Sequence, residues 1–130
     1  MHTVILAMHR RPVAQMLISK IRENPGIQAV FEPDYDTVVD DAVGYGAGAV
    51  LIEVAEAGAY DAGFCLALCA RLREQAPLCR LLLLCPEQDE PSVSAMVEAL
   101  RDGHIDDFFF YDTGIDYIVS KLHTHDRQQG

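Results

Sequence analysis

Five runs of consecutive apolar residues punctuate this chain: Val4–Met8, Ala29–Phe31, Ala49–Val54 (broken only by Glu53), Leu81–Cys85 and Phe108–Tyr111. Residues that are apolar at successive positions, not alternate ones, suit parallel strands covered on both faces. Between the runs the apolar period becomes that of a helix. Val13, Met16, Leu17 and Ile21 form one stripe after Pro12, a good first helical residue. Val38, Val39, Ala42 and Val43 form a second, stopped by the glycines of GYGAG. Phe64, Leu68 and Leu72 form a third before Pro77, and Val93, Met96, Val97 and Leu100 a fourth closed by Gly103. Ile115, Ile118, Val119 and Leu122 form a fifth, with Thr113 and Asp116 spaced as a capping box. Strand and helix thus alternate five times. Right-handed crossovers turn that order into a doubly wound α/β sheet with helices on both faces.

The chain has 130 residues, the size of one domain with one core, and 50% of them are hydrophobic, enough to exclude wholesale disorder. Its net charge of −10 repels phosphate backbones, so direct contact with nucleic acid is not expected. No apolar run approaches the roughly 20 residues of a membrane span, and no signal peptide is read at the start. The cysteines stand at 65, 69, 79 and 85 without a CxxC pair. They read as reduced thiols filling core positions in a cytoplasmic protein, not as a zinc site. The histidines are scattered, so neither a metal site nor a cofactor is expected. Asp34, Asp36, Asp40 and Asp41 flank a helix start and read as capping and surface charge.

Ligands of doubly wound sheets gather beyond the carboxyl ends of the strands. That rule selects His9, Arg10 and Arg11 after the first strand and Glu53 near the end of the third. It also selects Cys85 with Pro86 after the fourth, and Tyr111 with Asp112 after the fifth.

Those positions carry a resemblance. VILAM-HR-RPVAQML, AVLIEV, DAGFCLALCARLREQAP, CRLLLLCP and IDDFFFYD follow one another as do the segments of CheY-like receiver domains of bacterial response regulators. The likeness runs from Thr3 to Leu122. It implies a flavodoxin-like (βα)5 fold, a non-enzymatic signalling role and a set of equivalent positions. Glu53 falls at the phospho-acceptor aspartate, His9 and Arg10 at the acidic pair that binds magnesium, and Cys85 at the Ser/Thr. Phe108 falls at the switch aromatic and Tyr111 at the lysine.

Magnesium takes oxygen ligands, typically one or two carboxylates with water and phosphate. His9 and Arg10 remove those carboxylates and add a positive charge, and Tyr111 offers a neutral phenol in place of an ammonium. Ordinary magnesium-dependent phosphorylation is therefore not expected. A buried carboxylate without a partner is costly, which leaves two readings of Glu53. Either it reaches water at the strand end, or Arg10 crosses from strand one and pairs with it. A third idea, that Glu53 imitates a phosphorylated aspartate, suffers from the smaller charge of a carboxylate.

The expectation is an atypical receiver-like domain over residues 1–122, with residues 123–130 a polar tail or the start of a linker to an output domain. No catalytic residues are assigned. It would serve signal transduction and transcription regulation through a protein partner, an output domain of the same chain, or a homodimer formed through the fourth helix, fifth strand and fifth helix. Two alternatives remain: a conventional receiver using a displaced aspartate, Asp61 or Asp112, and a small-ligand-binding flavodoxin-like domain. The second lacks a Gly/Ser/Thr phosphate cradle after strand one.

Overall fold

The computed structural model describes residues 2–123, so all of the expected tail except His123 lies outside the described residues. Five strands, β1 (His2–Ala7), β2 (Ile27–Glu32), β3 (Ala49–Glu53), β4 (Arg80–Cys85) and β5 (Asp107–Phe110), form one parallel sheet in the order β2-β1-β3-β4-β5. The helices α1 (Arg11–Ile21), α2 (Val38–Tyr45), α3 (Ala62–Gln75), α4 (Glu90–Arg101) and α5 (Ile115–Leu122) connect or follow them, with a 3-10 turn at Tyr35–Thr37 before α2. The doubly wound (βα)5 expectation is met.

Side-chain alternation along each strand divides the core in two. Val50 and Ile52 of β3, with Leu81 and Leu83 of β4, face the side covered by α2, α3 and α4. Ala49 and Leu51, with Leu82 and Leu84, face α1 and α5. Both faces of the central strands are buried, which is why their sequences read as unbroken apolar runs.

Element ends differ from the sequence expectation by a residue or two. β1 starts at His2 and β2 at Ile27, because backbone pairing continues past the apolar residues: His2 sits opposite Ile27. β5 ends at Phe110, which places Tyr111 just beyond the strand. The expected capping box at Thr113 and Asp116 does not form; Gly114 is the N-cap of α5 and no side chain caps it. The stripes also shift. Met16 of α1, Val43 of α2 and Val97 and Leu100 of α4 are exposed, while Ser92 and Ala99 turn inward with Met96.

Candidate functional site

The carboxyl ends of β1 and β3 adjoin, and Glu53 closes β3 with a side chain that is 0% exposed. The chain leaving β1 passes directly over it. The backbone N–H groups of His9 and Arg10 donate to Glu53 Oε1 at 2.9 and 3.1 Å, and Arg10 Nε donates to Oε2. His9 Nδ1 lies 3.2 Å from Oε1. The carboxylate is thus met by a charge-assisted pair and two backbone donors, the set that makes a buried charge tolerable. Of the two readings of Glu53, the structure has the pair with Arg10.

The guanidinium is held from its other side by an aromatic face. Arg10 Cζ stands 3.9 Å from the centroid of the Tyr111 ring, and the Tyr111 hydroxyl donates to the carbonyl of Val54. Burial first, and the nearby Glu53 charge second, push the Tyr111 phenol up to about 12, so it stays a neutral donor. Arg10, Glu53 and Tyr111 therefore bind β1, β3 and the end of β5 into one cluster. One nitrogen, Arg10 Nη2, is buried there without a protein partner.

A second layer supports the end of β3. The Tyr35 hydroxyl donates to the Glu53 carbonyl at 2.5 Å, and its ring stacks on Tyr60 with centroids 3.9 Å apart and planes 3° from parallel. Phe64 packs against Tyr60 at 5.1 Å. Burial raises the Tyr35 phenol far above its ordinary value. Sequence reasoning missed Tyr35 and Tyr60. Tyr35 stands between two aspartates in a polar stretch, and no local periodicity marks it as a core residue.

The other expected positions lie around this cluster. Cys85 is buried at the end of β4, its thiol near the Pro86 carbonyl at 3.7 Å and pushed up to about 11 by burial and by Asp89. Its carbonyl accepts from the Tyr111 N–H at 3.1 Å, which places the two side by side. Phe108 turns to the α2–α4 face and meets Phe110 edge-on at 5.8 Å, away from Glu53. Asp61 is committed to the α3 N-cap, accepting from Phe64 N at 3.0 Å, and Asp112 is exposed.

A magnesium ion does not fit these residues. It requires oxygen ligands in near-octahedral array, whereas both Glu53 oxygens face N–H donors and a guanidinium lies alongside. Among the described residues no group of three or more His, Cys, Asp or Glu could hold a metal.

No protein-family model and no curated protein matches the chain. Solved structures do. A putative response regulator from Chloroflexus aurantiacus is 18% identical, with a TM-score of 0.71 over 93% of each chain. The N-terminal domain of the nisin resistance regulator NsrR is 15% identical, with a TM-score of 0.73 over 93% of this chain and 94% of that one. An adenylate cyclase structure from Rhodopirellula baltica is 11% identical, with a TM-score of 0.74 over 93% and 84%. The chain therefore has the CheY-like (βα)5 fold found in response-regulator receiver domains.

Proposed function

We propose that this chain is an atypical receiver-like domain that takes no phosphoryl group and acts in signal transduction through protein contacts. Glu53 stands at the acceptor position, His9 and Arg10 at the acidic pair, and Cys85, Phe108 and Tyr111 at the hydroxyl, aromatic and lysine positions. One observation carries the proposal: the carboxylate at the acceptor position is buried and bonded to a guanidinium and two backbone N–H groups. An incoming phosphoryl group would have to displace Arg10, and Glu53 is one methylene longer than the aspartate such chemistry uses. With that pair formed, the state of the domain does not depend on a phosphate donor. The role follows as a cytoplasmic, non-enzymatic module of a transcriptional or signalling regulator.

The partner surface we favour is α4–β5–α5. Val97 and Leu100 of α4, Phe110 of β5 and Tyr117 of α5 are exposed there at 51, 38, 37 and 53%, an apolar set suited to a second copy or an output domain. Sedimentation of the chain with and without magnesium and beryllofluoride (a phosphoryl mimic) tests the reading. The sedimentation coefficient is expected to stay the same. A shift that needs both additives would overturn it. Phe110→Asp in the same experiment is expected to weaken any self-association.

A further inference from the structure

Two helices of this domain end alike, and a third does not. α2 ends on Gly46 in the left-handed region (φ 58°), and the Ala47 N–H closes back on Ala42 O at 2.9 Å. α4 ends before Gly103 (φ 78°), and the His104 N–H reaches Ala99 O at 2.9 Å. Such closures satisfy carbonyls that the last turn of a helix leaves without partners. α5 has no glycine there. Its C-cap, His123, keeps right-handed helical angles (φ −83°, ψ −8°).

Side chains from the sheet reach its last turn. His2 Nε2 lies 3.0 Å from Leu122 O, and Arg80 Nη1 donates to Lys121 O at 2.6 Å. The imidazole reaches α5 by lying over Gly48. A Cβ at residue 48 would stand 2.1 Å from His2 Cε1 and 2.3 Å from Nδ1, distances no packing can absorb unless the ring moves. Gly48 is also the backbone link between the two capping strands: its N–H donates to Thr3 O and its carbonyl accepts from Arg80 N, both at 2.9 Å. The glycine is thus required by the imidazole it carries, not by its own backbone angles.

We propose that His2, Gly48 and Arg80 form a coupler tying the last turn of α5 to the amino edge of the sheet. The last turn of α5 is then held by β1 and β4, and a shift of either strand is passed to Ser120–His123. This holds whether or not the acceptor position takes a phosphate.

Amide hydrogen exchange of the full chain tests it at Ser120–His123, with Leu51 and Leu82 as core references. His2→Ala and Arg80→Ala should each speed exchange in the last turn roughly fivefold, the effect of about one net hydrogen bond, while the references hold. His2→Gln, which keeps an N–H donor, should restore most of the protection. Gly48→Ala should loosen the same amides by displacing the His2 ring, and should add nothing in the His2→Ala background. Uniform acceleration at all amides, or an unchanged last turn in His2→Ala, would overturn the coupler.

Discussion

At the carboxyl end of the sheet a fully buried carboxylate, Glu53, is met by the Arg10 guanidinium and two backbone donors. At the amino end the atoms met by side chains are neutral carbonyls of α5, those of Leu122 and Lys121, bonded by His2 and Arg80. Both ends use a side chain from one element to satisfy another. They differ in what remains when the donor is lost. A carbonyl near the surface can turn to water. An ionised carboxylate without exposure cannot, and its burial then goes uncompensated. The chemistry at the two ends is similar, but the energetic commitment is concentrated where the charge is.

That contrast sets an order of effects. Arg10→Ala should be the most damaging change, costing about 3 kcal/mol in denaturant unfolding, toward the lower end for a broken buried pair because the Arg10 side chain is 33% exposed. A cost no greater than that of His2→Ala would break the comparison. Tyr111→Phe removes the hydroxyl donor to Val54 O but keeps the ring under the guanidinium, and should cost about 1 kcal/mol.

The smallest effect sharpens the contrast within the carboxyl end itself. Asp41 is an acid with no ion-pair cation among the described residues: its Oδ2 is buried, and the group it faces is another acid, Glu32. Burial first, then Glu32, push its carboxyl up to about 6. The folded chain therefore binds this proton more tightly than the unfolded one. The stabilisation is present at acid pH and is lost as pH rises from the ordinary carboxylate range through about 6. Asp41→Asn should accordingly stabilise the chain at pH 7.5 by under about 1 kcal/mol and gain less at pH 4, as unfolding curves at the two values would show.

Much of this was legible in the sequence, for physical reasons that also mark where legibility stopped. Strands buried on both faces write themselves as apolar runs, so all five were visible and Glu53 stood out as the exception within one. Its partnership with Arg10 could be posed because parallel order brings the ends of β1 and β3 together. It could not be decided, since a long side chain near a strand end has water as an alternative. Tyr35 left no trace, because its neighbours are aspartates and its contacts are with Glu53, Tyr60 and Phe64, all distant in sequence. Thr113 misled because a glycine next to it took the cap position. His2 and Gly48 were silent for the same reason as Tyr35: their meaning lies in an approach between segments that no local pattern records.

The cysteines have a practical consequence. All four are buried, and all four belong to the apolar cluster on the α2–α4 face. Burial pushes Cys69 and Cys79 up to about 12 and Cys65 higher still, which keeps them as unreactive thiols. The cluster facing α1 and α5 contains no cysteine. The molecule thus carries a one-sided internal dye site. Under brief exposure to a thiol reagent, modification counts the openings of one half of the core and is blind to those of the other.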